Sequence, residues 1–351
     1  MRITANQVTF VRFLLLPFPC FLVYGDFGDQ VLAIALFAFL GLTDYIDGIL
    51  ARKYGSTKLG AMLDPLVDKI FIVAIYLILC DMGMISSLLV LLLLAREFAV
   101  TFLRGIAVKR DLAFRTSEIA KYKTTIQMIG AAFILLVGMF KDAPEIHTVL
   151  AGITVLAFSF PLIFFAMGKK IGHRSIVGPG FILLGYMLRQ ALPYEICLHA
   201  YMVVITFVTL FTGVSYFAEC LEKLRKCHKP LAPREIFFLL ATSLVMPSLL
   251  FYIYSHHQKM AWVYILIFSF EFIIMSLENL LNWSEEKRYF LFKAVTVGLQ
   301  MALGLLAAFL LFLYPGWAFS FSEVIVYIIF ALTLGYALFK ITIHRDLLHG
   351  V

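Results

Sequence analysis

Charge is scarce in this chain. Only 15% of its 351 residues are Asp, Glu, Lys or Arg, against roughly 25% in soluble domains. With 62% apolar residues and a mean hydropathy of +0.95, that scarcity excludes a soluble globular protein. Cysteine is scarce too. The five residues, Cys20, Cys80, Cys197, Cys220 and Cys227, form no C-x-x-C pair and sit mostly in apolar runs, so buried free thiols are expected rather than disulfides or a zinc site. No G-x-x-x-x-G-K-[ST] run and no H-E-x-x-H pair occurs, which removes the P-loop and zinc-protease motifs. There is no internal repeat, low-complexity tract or heptad series. Acidic residues are fewer than basic ones, 22 against 29, for a net charge of +7. In a soluble chain that excess would suggest nucleic acid; here the bias of basic residues toward cytoplasmic loops explains it, and no nucleic-acid partner is expected.

What the chain has instead is long apolar runs. Segments long enough to cross about 30 Å of hydrocarbon lie near 9–25, 30–51, 62–81, 85–107, 122–140, 147–167, 197–218, 236–255, 260–278, 290–313 and 323–343. A weaker stretch, Ile176–Leu192, contains Gly178-Pro179-Gly180 and Arg189 and reads as a short span or a re-entrant hairpin. Basic loops around Arg52/Lys53/Lys58, Lys109/Arg110/Arg115, Lys169/Lys170/Arg174, Lys223–Arg234 and Lys287/Arg288 alternate with acidic or aromatic ones only if that stretch also crosses. The fold expected is all-α: a polytopic transmembrane helix bundle of about 12 spans with both termini cytoplasmic. Pro17 and Pro19 interrupt the first apolar stretch and no small-x-small site follows, so it is read as a retained span rather than a cleaved signal.

Against this background, one region carries four carboxylates. Asp44, Asp47, Gly48, Ala51 and Arg52 recur at i, i+3, i+4, i+7 and i+8; Gly60, Asp64 and Asp68 recur at i, i+4 and i+8. Each set shares one helix face, and a seven-residue turn joins the two helices. A lone carboxylate near hydrocarbon costs at least about 2.5 kcal/mol on insertion scales, so four together ask for a cation. Oxygen-only ligands suit hard divalent ions such as Mg²⁺ or Mn²⁺. Gly48 and Gly60 leave room for a ligand beside the backbone, and Arg52 can pair with phosphate.

These residues spell Asp-x-x-Asp-Gly-x-x-Ala-Arg, a spacer, then Gly-x-x-x-Asp-x-x-x-Asp. In this the chain resembles the CDP-alcohol phosphotransferase family. The resemblance extends to Asn6-x-x-Thr9-x-x-Arg12, Arg96-Glu97-x-x-x-Thr101-x-x-Arg104, Lys121-Tyr122-Lys123 and Thr212-Gly213. It implies a six-helix core plus extra helices, with Asp44, Asp47, Asp64 and Asp68 holding two divalent cations. It implies CDP binding by Asp44, Gly48, Ala51, Arg52 and Gly60, and Asp68 as general base on the acceptor hydroxyl. Arg104, Lys121 and Lys123 are the candidate contacts to an acceptor phosphate. For Arg96 and Glu97, a structural ion pair and a substrate role stand level, and for Glu271, alone in a later span, a functional site and a simple pairing stand level.

The polar hinge Glu219–Glu235 divides the chain into a transferase-like part, 1–228, with an insertion at about 141–195, and a four-span part, 229–351, expected to be dispensable for the chemistry. The activity implied is transfer of the phosphatidyl group of CDP-diacylglycerol to glycerol 3-phosphate with release of CMP, at the cytoplasmic face of a bacterial-type inner (plasma) membrane. Membrane lipids and a second copy of the chain are the further partners expected. Two other readings stay open: the same chemistry with another acceptor, such as phosphatidylglycerol or a polyol phosphate, and a transporter or scaffold that retains a transferase domain.

Overall fold

The computed structural model describes residues 5–54, 58–110, 112, 118–141, 145–167, 174–226, 231–256, 261–280, 287–314 and 318–343. Within these ranges the side chains of 44–54, 58–64 and 118–121, with a few others, lie outside the described set. Among the described residues the regular elements are all helices: α1 (Ala5–Leu15), α2 (Pro17–Leu22), α3 (Phe27–Tyr54), α4 (Lys58–Asp81), α5 (Ser87–Lys109), α6 (Glu118–Met139), α7 (Ile146–Ala166), α8 (Arg174–Ala191), α9 (Tyr194–Lys226), α10 (Pro233–Leu240), α11 (Met246–His256), α12 (Ala261–Leu280), α13 (Lys287–Leu313) and α14 (Ala318–Ile343). In lipid every backbone N–H and C=O must be satisfied within the segment, which leaves helices as the only form open to these runs.

Proline sets the interruptions. The first apolar run is broken into α1 and α2 where Pro17 opens the second helix, a position at which its missing N–H is no loss. The run 233–256 changes from α10 to α11 through a π-helical turn, Ala241–Val245, just before Pro247, which can donate nothing to the ladder. The weak stretch at 176–192 forms α8, a helix of 18 residues. At 1.5 Å per residue that is about 27 Å, close to the hydrocarbon thickness.

Taking α1 with α2 and α10 with α11, the helical rods follow the twelve runs read from the sequence. Seven segments among the described residues are long and apolar enough to cross a bilayer: Tyr122–Met139, Ile146–Ile163, Tyr194–Lys226, Pro233–His256, Ala261–Glu278, Phe292–Leu313 and Ala318–Thr342. α5 is not among them because Arg96, Glu97 and Arg104 all fall within it. The protein is an all-α, polytopic integral-membrane protein.

One apolar core runs through α3, α4, α5, α6, α9, α11 and α12. Between transmembrane helices, where lipid tails are as apolar as leucine, close packing rather than water exclusion holds such a core together. Ring pairs mark the joints: Phe37 of α3 meets Phe71 of α4 edge-on at 5.6 Å, and Phe98 of α5 stacks on Phe272 of α12 at 4.0 Å. Such pairs contribute about 0.5–1.5 kcal/mol beyond their burial. Tyr201 of α9 lies between Phe133 of α6 and Phe181 of α8 and donates its O–H to the Phe181 carbonyl at 3.0 Å. α7 packs chiefly on α8, outside the helices that meet α4.

The later helices belong to this same core. α12 packs along both α4 and α5, and Arg110, at the end of α5, binds Glu235 of α10 at 2.5 Å. Nothing in an apolar run announces which other apolar run it will lie against, so this intimacy was not readable from the hinge. At the opposite end of the bundle Asp81 accepts from Tyr24 of the α2–α3 turn at 2.8 Å and from Tyr254 of α11 at 3.0 Å. Cys20, Cys80, Cys197 and Cys220 are free thiols; Cys227 lies outside the described residues.

Candidate active site

Phe37 of α3 and Phe71 of α4 meet edge-on at 5.6 Å. Along the chain, Asp44 lies seven residues after Phe37 and Asp64 seven residues before Phe71, two helical turns or about 10 Å in each case. Asp68 lies one turn from Phe71, deeper in the bundle. The side chains of Asp44, Asp47, Arg52 and Asp64 lie outside the described residues, as do those at positions 48, 51 and 60; their backbone belongs to α3 and α4.

The described part of the site centres on Asp68. Four helices enclose a cavity of about 330 Å³ beside it. α4 lines it with Pro65, Asp68, Lys69 and Ile72, spaced i, i+3, i+4 and i+7 along one face. α5 contributes Arg96, Glu97, Val100, Thr101 and Arg104, again one face, α6 contributes Lys123, Thr124 and Gln127, and α9 contributes Tyr216. From α1, the buried Arg12 places Nη2 3.4 Å from Asp68 Oδ1.

Glu97 organises the wall. Its Oε1 accepts from Lys123 Nζ at 2.5 Å, from Arg96 Nη1 at 3.2 Å and from Gln127 Nε2 at 3.3 Å. Arg96 also reaches α9, donating Nε to the Thr209 carbonyl at 3.0 Å and Nη2 to Thr212 Oγ1 at 3.1 Å. A carboxylate bound by two cations and an amide is an acceptable occupant of a transmembrane core. Gly213 makes the crossing possible: a Cβ there would stand 2.7 Å from Arg96 Cγ and 3.0 Å from its Nε. Arg96 and Glu97 are an ion pair, and both side chains also line the cavity. Arg104 is exposed at its mouth, its guanidinium 6.0 Å from the Tyr216 ring centroid.

Of the residues singled out in the sequence, the structure brings Asp68, Arg104 and Lys123 to one cavity. Lys121 lies in α6 with its side chain outside the described set. Lys69 and Tyr216 were missed as site residues. For Lys69 a signal existed: it follows Asp68 and sits four residues after Pro65, on the same face. Tyr216 stands out only once α9 is seen to close the cavity. Glu271 accepts from Gln300 at 3.0 Å, so it has a partner within the later helices.

Among the described lining residues four cations, Lys69, Arg96, Arg104 and Lys123, face two carboxylates, Asp68 and Glu97, a local surplus of positive charge. Such a surplus in a membrane-embedded cavity is suited to a phosphate dianion. Among the described residues no cluster of three metal-ligating side chains occurs. Three of the four signature aspartates fall outside that set, and as a donor group four carboxylates suit a hard divalent ion.

A match to the family model for CDP-alcohol phosphatidyltransferases covers residues 2–168, from α1 through α7. A CDP-diacylglycerol–glycerol-3-phosphate 3-phosphatidyltransferase of Rickettsia typhi is 32% identical over 138 residues, covering 39% of this chain and 78% of that protein. One of the same name from Bacillus subtilis is 31% identical over 145 residues, covering 37% of this chain and 75% of that protein. The chain belongs to the CDP-alcohol phosphatidyltransferase family, and it is a transferase acting in the membrane.

Proposed function

We propose that this enzyme transfers the phosphatidyl group of CDP-diacylglycerol to glycerol 3-phosphate and releases CMP. The observation that carries the reading is the cavity in which Asp68 faces Lys69, Arg104 and Lys123. The relatives' names point to the same donor and acceptor. In the reaction the acceptor hydroxyl oxygen attacks the phosphorus that bears the diacylglycerol. The bond from that phosphorus to the oxygen of CMP breaks, CMP departs with the electron pair, and Asp68 takes the hydroxyl proton. Arg104, Lys123 and Lys121 hold the acceptor's phosphate, joined by Lys69. The acceptor is thereby fixed with its hydroxyl next to the base, which converts a two-body encounter into an oriented one.

Asp44, Asp47, Asp64 and Asp68 would hold two divalent cations, Mg²⁺ or Mn²⁺, which when bound neutralise the pyrophosphate and the charge growing on CMP. Gly48, Ala51 and Gly60 admit the cytidine and ribose, with Asp44 beside them, and Arg52 binds phosphate. The basic loops support a cytoplasmic mouth and cytoplasmic termini, since α4 and α6 begin, and α5 and α9 end, at the side carrying Lys53, Lys58, Arg110 and Lys223. A bacterial-type plasma membrane is the corresponding location. Residues 1–228 carry the chemistry, with α7 and α8 as an insertion, and 229–351 form the four-span remainder.

A phosphatidylglycerol acceptor is the second reading. The surplus of cations favours a doubly charged phosphate over that singly charged lipid. Release of CMP from CDP-diacylglycerol by membranes containing the protein, with and without glycerol 3-phosphate, tests the choice. Release that needs phosphatidylglycerol instead would replace this acceptor, and no release with either would point to another alcohol, such as a polyol phosphate.

A further inference from the structure

Lys69 lines the acceptor cavity from α4, inside a transmembrane core. Its ammonium lies 5.9 Å from the ring centroid of Phe272, within the range of cation–π attraction. Phe272 belongs to α12, which lies beyond the residues matched to the family model. The ring is fully buried and cannot turn away: Phe98 of α5 lies against it, 4.0 Å between centroids and within 5° of parallel. Phe98 directly follows Arg96 and Glu97, and it also meets Phe268, one turn earlier on α12, at 5.8 Å.

The rotation of α12 about its own axis is fixed from its other side. Gln300 of α13 donates to Glu271 at 3.0 Å and to Thr333 of α14 at 2.8 Å. Glu278 binds Lys293 of α13 at 2.6 Å and Lys340 of α14 at 2.5 Å. Polar contacts of this kind inside a bundle tolerate no rotation of the helix that carries them, because turning would strand buried charges. Their consequence is that Phe272 is presented toward α4 and α5 in one setting.

We propose that Phe272 is a positioning residue for acceptor recognition, and that the C-terminal helices thereby complete the acceptor site by holding Lys69 at the cavity wall. The proposal rests on the glycerol 3-phosphate reading given above. Phe272 touches no substrate; it acts through Lys69. It supplies a flat, negative ring face that steadies an ammonium in a place where water is scarce.

The test is steady-state kinetics on the full-length protein in detergent, varying glycerol 3-phosphate and CDP-diacylglycerol separately. Phe272→Leu and Phe272→Met keep an apolar side chain but remove the ring face. They are expected to raise the acceptor KM about three- to tenfold while leaving the CDP-lipid KM within twofold. Phe272→Tyr keeps the ring and should restore the acceptor KM to within twofold. A structural role alone would lower kcat or move both KM values together, irrespective of whether the ring is kept, and that outcome overturns the proposal. Lys69→Met leaves the packing of α12 in place and must raise the same acceptor KM; if it does not, the proposal falls even where the Phe272 variants fail to fold. Failure of the wild-type protein to use glycerol 3-phosphate at all would instead remove the functional reading on which the proposal stands.

Discussion

Arg12 and Asp68 meet across two helices: the guanidinium of α1 approaches the carboxylate of α4 to 3.4 Å, and Arg12 is only 3% exposed. The side chain proposed to take the acceptor's proton is therefore oriented by a cation buried in the first helix. Arg12→Ala removes that neighbour without touching the cavity wall. It is expected to lower kcat at least about tenfold, as loss of orientation at a catalytic group does, with the CDP-lipid KM little changed. Arg12→Lys should recover part of the rate, since it restores charge but not the planar fork. Initial rates of CMP release at saturating acceptor check both.

Asp68→Asn should abolish turnover while largely sparing CDP-lipid binding, because the other three carboxylates remain to hold metal. Asp64→Asn should impair both, since that residue is read as a metal ligand that the remaining carboxylates do not replace. Binding of a radiolabelled CDP-lipid, set beside CMP release, separates the two effects. An Asp68→Asn enzyme that keeps more than a few per cent of the rate would withdraw the general-base role.

Chelation should stop the reaction outright. The motive is a donor set made only of carboxylates, which has no useful charge balance in a membrane without a divalent ion. Dialysis against EDTA should reduce CMP release to background, and Mg²⁺ or Mn²⁺ should restore it. Full activity in excess EDTA would remove the metal-assisted reading.

Arg104→Ala and Lys123→Ala should raise the acceptor KM more than the CDP-lipid KM. Loss of a charge-assisted contact to phosphate costs about 1.5–3 kcal/mol, roughly ten- to hundredfold. The two should differ in kind. Arg104 is exposed, so its loss is a clean loss of binding. Lys123 also binds Glu97, so its loss removes one of that carboxylate's two lysine or arginine partners and should lower thermal stability as well. Equal melting temperatures for both variants would argue against this division of labour.

Gly213→Ala should destabilise the bundle by about 1–3 kcal/mol, the usual cost of an added methyl in a filled core. The new Cβ would collide with Arg96, which would have to give up its bonds to Thr209 and Thr212 or push α9 away from α5. Thermal unfolding in detergent measures the effect. A variant as stable as the parent would show that Arg96 can move aside without loss.

The long elements were legible because their signal is local. Apolar length gives the rods, proline marks the breaks after Leu15 and before Pro247, and recurrence at i, i+3 and i+4 puts Asp44 with Asp47 and Asp64 with Asp68. The charge pattern asked 176–192 to cross the membrane, and the structure forms one helix there, α8. What stayed hidden is what depends on contact between distant segments. Phe98 and Phe272 are two phenylalanines among 35, and nothing in their neighbours marks them as partners. Lys69 carries a weak signal, its place beside Asp68 on the Pro65 face, but its role shows only once α5 and α6 are seen around it. Glu97 gave no sign, within its own helix, that Lys123 and Gln127 would come to it from α6.

α7 leans on α8 and otherwise turns Val155, Leu156, Leu162, Ile163 and Phe165 outward, each more than half exposed in the isolated chain. Where a bilayer covers that face, fluid acyl chains mould the side chains, and they accept almost any oily shape. Selection on that stretch can act on greasiness and length but hardly on form. Substitutions there should accumulate as neutral drift among Leu, Ile, Val and Phe, while a position such as Gly213, on which a single methyl group would intrude, has no comparable freedom.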